Sequence, residues 1–174
     1  MGLLEQQNFL ARLYVDEDFR KRFAAEPENI GRQNKLTGSE IADLEMILPD
    51  EVEAFAQSLY HKRFREVEKL LPFARKSLVE EFGILFEEFS ATYNPNSVKK
   101  HIEDAFQFCR FLSGNPRLSK SQKAAVRFEQ AKLEFFGLGK SFVFRRFGGG
   151  IKTDNGKRRR FGLWLRLGKR EFII

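Results

Sequence analysis

Histidine and cysteine are scarce in this chain, and each scarcity removes a class of function. Its 174 residues include two histidines, His61 and His101, one cysteine, Cys109, and one tryptophan, Trp164. A single cysteine forms no intramolecular disulfide, so nothing suggests secretion. A metal or acid–base centre would need both histidines to converge with carboxylates such as Glu103 or Asp104. Each histidine lies on the flank of its expected helix, and we read both as solvated. Cys109 falls on an apolar stripe and reads as a buried, inert thiol. No Ser-His-Asp, paired-carboxylate or zinc-ligand pattern occurs. No catalytic, cofactor or metal residue is therefore assigned, and the chain by itself is expected not to be an enzyme.

Long apolar runs are also missing. The longest span only about four residues, against the roughly 20 that cross a bilayer. Met1 to Ala11 has no basic segment followed by an apolar one, so no signal peptide is expected. These absences predict a soluble, cytoplasmic protein. Gly139-Lys140-Ser141 resembles the end of a phosphate-binding loop. The earlier glycine of that pattern is Glu134, however, and the order here is helix then strand rather than strand then helix. Gly137 and Gly139 read instead as a helix stop.

What the chain does have is 20 phenylalanines and a lopsided charge. The phenylalanines suit an aromatic-rich helical core. The net charge is +7, but residues 140–174 hold eleven Lys/Arg and two Asp/Glu, a net of +9, whereas residues 1–139 are near neutral at −2. Such asymmetry points to an acidic or anionic partner at the C-terminal end.

Apolar spacing near 3.6 residues runs through residues 1–139. Asp16 is placed to cap a helix carrying Phe19 and Phe23. Residues 26–36 read as a loop. Thr37 and Glu40 have capping-box spacing, with Ile41, Leu44, Ile47 and Leu48 following on one face. Pro49 suits the first turn of a long helix over 49–71, which Pro72 ends. Further helices are expected over 73–93, over 97–112, and from Ser119 to about Phe136.

After Gly137 the period becomes two. Phe161, Leu163, Leu165 and Leu167 alternate with Arg160, Gly162, Trp164 and Arg166, the mark of a half-buried strand whose Phe161, Leu163 and Leu165 face the helices. Gly168-Lys169 has the form of a type II′ hairpin leading to a return strand over 170–174. Ser141 to Phe147 is a third candidate strand, and the stretch from Gly148-Gly149-Gly150 to Asn155-Gly156 a loop. The expected fold is thus mainly α: a bundle of six or seven helices over 1–139, with a basic β-hairpin or small antiparallel sheet over 140–174 packed on it.

Two sets of charged residues stand out. Arg63 falls in the apolar row between Leu59 and Val67, and Asp104 shares a row with Phe108 and Phe111. We expect a structural Arg63–Asp104 ion pair, since an unpaired buried charge is costly; charges at a partner surface are the rival reading. The second set is Lys157, Arg158, Arg159 and Arg160, with Trp164, Arg166 and Arg170 nearby. These are the candidate partner-binding residues. They suit an acidic protein or peptide; the alternative is nucleic acid, with bases stacking on Trp164 between arginines.

Several spaced motifs occur together: Leu13-Tyr14 with Asp16, Arg20 and Phe23; Phe55-Ala56, Ser58-Leu59 and Lys62-Arg63; Val67 with Leu70-Leu71-Pro72; Asp104-Ala105 with Phe108 and Phe111-Leu112; and Gly162-Leu163-Trp164-Leu165-Arg166. The set resembles a bacterial helical domain of unassigned activity. That domain is found alone or C-terminal to multinuclear non-haem iron-dependent oxidative enzymes that modify ribosomal peptides. The resemblance covers nearly the whole chain. It implies a non-catalytic accessory role, with such a modifying enzyme or its precursor peptide as partner. The iron enzyme's own ligands have no counterpart in a chain with two histidines.

Overall fold

A computed structural model describes residues 3–47, 49–93, 100–152, 158–168 and 170–173. Among them are nine α-helices followed by a three-stranded antiparallel sheet. The protein is mainly α with a C-terminal sheet. The chain forms two compact units, Met1–Arg63 and Phe64–Ile174.

The first unit holds α1 (Leu3–Val15), α2 (Glu17–Ala25), α3 (Pro27–Gln33), α4 (Gly38–Glu45) and most of α5 (Pro49–Leu70). Its helix starts follow from their capping residues. Asp16 accepts the Phe19 N–H at 2.8 Å. Thr37 and Glu40 form a reciprocal capping box, closing backbone donors that a helix start leaves open. Phe9, Leu13, Phe19, Phe23, Ile30, Leu36, Ile41 and Leu44 make the core. The Phe9 ring meets those of Phe19 and Phe23 edge-on, each at 5.0 Å. Helix α3 lies where a loop was expected. Pro27 is preset for its first turn, and Ile30 and Gly31 are buried.

The second unit holds the end of α5, then α6 (Pro72–Leu78), α7 (Glu81–Thr92), α8 (Lys100–Gly114), α9 (Lys120–Lys132) and a π-turn, Leu133–Gly137. Phe82, Phe86 and Phe89 of α7 surround Phe108 of α8 at 5.2–5.3 Å between ring centres. The single helix expected over 73–93 is two helices. Val79, with φ of 52°, breaks the α-helical run, and Arg75 donates to its carbonyl.

Strands β1 (Phe142–Lys152), β2 (Arg158–Leu167) and β3 (Arg170–Ile173) pair in that order. Strand β1 runs on through the three glycines at 148–150, where a loop was expected. A register shift lies between Arg146 and Ile151, and Gly150 takes a positive φ of 64°. Gly168, at φ of 59°, supplies the left-handed first position of the β2–β3 turn; Lys169 lies outside the described residues.

Candidate functional site

The sheet is held to α9 and its π-turn by one face. Directly opposed residues of an antiparallel pair share a face, so the register fixes which side chains go together. Val143 opposes Trp164 and Arg145 opposes Gly162 on β1–β2; Arg166 opposes Glu171 on β2–β3. Each of these rows meets the helical layer. Phe128 of α9 lies 5.7 Å from Trp164, centre to centre. Arg166 sits 4.7 Å over the Phe135 ring while bonding Glu171 at 2.8 and 3.0 Å. Glu134 is buried, and accepts from Arg145 at 2.6 Å and from Lys140 at 2.7 Å.

This corrects the expected facing of β2. Gly162 and Trp164 point inward, and Trp164 is only 2% exposed. Phe161, Leu163, Leu165 and Leu167 point the other way. Val143, Phe147 and Phe128 pack round Trp164, and Gly162 beside it leaves room for the ring, which seats that row against the helical layer. Trp164 is consequently no surface for a stacked base, and Arg166 is engaged within the sheet.

The opposite face of the sheet is apolar too. Phe142 opposes Leu165, Phe144 opposes Leu163, and Phe172 of β3 opposes Leu165 from the other side. Phe161 opposes Arg146, and Leu167 opposes Arg170. Phe142, Phe144, Phe161, Leu167 and Phe172 are each between 44% and 61% exposed, while Leu163 and Leu165 are half-buried. Scattered exposed apolar residues are ordinary; here seven apolar side chains, five of them exposed, share one sheet face. Sequence reasoning had the facing of Phe161, Leu163 and Leu165 wrong and assigned no face to Phe142, Phe144 or Phe172.

Arg146 and Arg170 lie on this face opposite Phe161 and Leu167, whereas Arg158 and Arg160 share the parity of Gly162 and Trp164. Arg146, Arg158, Arg159, Arg160 and Arg170 are all exposed. The Arg158 side chain lies against Gly150, where a Cβ would come within 2.8 Å of its Nε. Lys157 lies outside the described residues. Of the expected partner-binding set, the structure therefore brings Arg158, Arg159, Arg160 and Arg170 to the surface of the sheet.

Two buried groups were missed from sequence. One is Glu134. The other is Glu129, fully buried on α9, which accepts the Phe73 N–H at the start of α6 at 2.8 Å and the Lys132 ammonium at 3.4 Å. Burial raises the Glu129 pKa, against the lowering pull of Lys132 and Phe73 N–H. Cys109 is buried, and its thiol is pushed well up by burial and by the Glu129 carboxylate. Lys140, from the phosphate-loop look-alike, is committed to Glu134 through both its ammonium and its backbone N–H.

Arg63 is half-buried on α5 in the first unit, and Asp104 is buried on α8 in the second. His61 and His101 are exposed. Among the described residues, no three His, Cys, Asp or Glu side chains cluster so as to hold a metal ion. No described helix is long and apolar enough to cross a membrane.

Comparison with protein-family models, with curated proteins and with solved structures gives no match to this chain.

Proposed function

We propose that this protein is a non-catalytic interaction module whose basic C-terminal sheet docks an acidic protein or peptide. One observation carries the reading: a net charge of +9 over residues 140–174, whose Arg158, Arg159, Arg160 and Arg170 are exposed beside an apolar sheet face. Opposite charge steers such a partner in, and apolar contact then holds it. The resemblance to a helical domain that accompanies iron-dependent peptide-modifying enzymes gives the partner its candidate identity, such an enzyme or its precursor peptide. Cytoplasmic residence fits this reading.

Nucleic acid is the second reading, favoured by the exposed arginines and by Phe rings on a sheet face, a known platform for unstacked bases. Burial of Trp164 weakens it. Affinity purification of the tagged full chain with and without nuclease separates the two. Docking predicts an acidic protein retained after nuclease and lost from Arg158→Glu/Arg159→Glu/Arg160→Glu. Recovery of nucleic acid alone, lost from the same variant, overturns the docking reading. Binding to nucleic acid would also weaken by roughly 0.7–0.9 log units per log unit of salt for each phosphate neutralised.

A further inference from the structure

We propose that the first unit holds a ligand site of its own: a cleft walled by α2, the end of α4 and the start of α5 that takes a small organic cation, an apolar body carrying a protonated amine. It is independent of the docking reading above. The cleft has a volume of about 580 Å³, within the range of small-molecule sites. Its floor is the core of the unit. Leu13, Phe23 and Leu44 belong to the buried cluster and also line the cleft, and half-buried Ile47 and Val52 pack against them. Close-packed interiors leave few voids larger than a water molecule. The apolar surface left wet here is what an apolar body would cover.

The charges at the rim select the sign of the ligand. Glu17, Arg20, Lys21, Glu45, Asp50 and Glu53 line it. Both cations are taken. Lys21 pairs with Glu17 at 2.6 Å, and Arg20 with Glu53 at 3.1 Å. Arg20 also donates to the Leu13 carbonyl at 2.9 Å. It therefore braces α1, α2 and α5 around the cleft, and its side chain is only 14% exposed. Glu45 and Asp50 are exposed and pair with no cation among the described residues. Residues 36–61 hold six Asp/Glu and no Lys or Arg. Two uncompensated carboxylates thus stand over an apolar floor.

Other occupants fit less well. An anion would meet those carboxylates while both rim cations are committed elsewhere. A hard metal ion wants six or more oxygen ligands, and the floor is hydrocarbon. The basic C-terminal region of a second copy has the right sign, and the test includes it.

The test uses three probes that share one apolar body: naphthylmethylammonium, neutral naphthylmethanol and anionic naphthylacetate. Each is titrated into the isotope-labelled full chain, and amide shifts are followed by NMR. The cation should saturably shift amides of α2, α4 and the start of α5. It should bind at least about fivefold more tightly than the alcohol, with the anion weakest, and high salt should shrink the preference. Glu45→Gln/Asp50→Asn changes two exposed groups and should keep the wild-type melting temperature. It should bring the cation to within about twofold of the alcohol and leave the alcohol unchanged. Ala24 is an exposed wall residue; Ala24→Trp should weaken the cation and the alcohol alike. No saturable shift in these elements overturns the site. So does a cation preference that survives Glu45→Gln/Asp50→Asn, or a preference for the anion. Shifts of the same amides on dilution without probe would show a second copy in the cleft and overturn the small-cation assignment.

Discussion

The indole of Trp164 covers Gly162. A Cβ at position 162 would lie 2.6 Å from Cη2 and 2.8 Å from Cζ3 of that ring, and 3.3 Å from the Phe147 ring. Those ring atoms belong to a buried cluster and have nowhere cheap to go. Gly162→Ala should therefore destabilise the second unit by about 1–3 kcal/mol through overpacking, outweighing the gain of up to about 1 kcal/mol that Gly→Ala brings where it fits. Because Trp164 is the chain's only tryptophan, its emission should shift to the red in the same variant. Unchanged emission and stability would mean the ring does not sit over Gly162.

Glu134 binds the sheet to the helical layer through Arg145 and Lys140. Glu134→Ala deletes both contacts and leaves a void under β1. A loss of about 1–3 kcal/mol is expected, with faster amide exchange in β1 than in α7 or α8. Equal change in all elements would contradict a local role.

Glu129 gives a pH signature of known sign. Its raised folded pKa means the native state holds a proton longer than the unfolded chain, whose glutamates titrate near about 4.3. Its stabilising contribution is complete below that value and declines as pH rises through the folded pKa. Glu129→Gln removes the titration. The stability of wild type relative to Glu129→Gln, from urea melts at pH 4 to 7, should therefore fall as pH rises. A flat or rising difference would contradict the assignment.

Cys109 is fully buried with a raised pKa, so it holds little thiolate at neutral pH. A thiol reagent such as dithionitrobenzoate should react with it only once the protein is unfolded. Fast labelling of the native protein would show that α8 opens locally.

The helix starts were legible because caps are local. Asp16, Thr37 with Glu40, and Ser119 with Gln122 each act within three residues. The break at Val79 was not, since no glycine or proline marks it and a β-branched residue rarely takes positive φ. The two sheet faces were not legible either. One parity of β2 carries Phe161 and three leucines and the other only Trp164 among arginines and a glycine. Yet it is the Trp164 row that turns inward, because Phe128 and Phe147 pack on Trp164 or on its cluster. Sequence did place the exposed arginines of the candidate site, because charge is a property of composition. It could not find the apolar outer face, which exists only once the strands are in register. Glu129 and Glu134 were hidden because a buried carboxylate looks in sequence like a solvated one until its donors are known.

The C-terminal sheet is the proposed docking surface. Amide hydrogen exchange of the full chain, with and without the acidic protein retained after nuclease, locates the contact directly. Docking at the sheet gives added protection in β1, β2 and β3 and little change in α1 to α4. Protection confined to α1–α4, with the sheet exchanging as before, would contradict it.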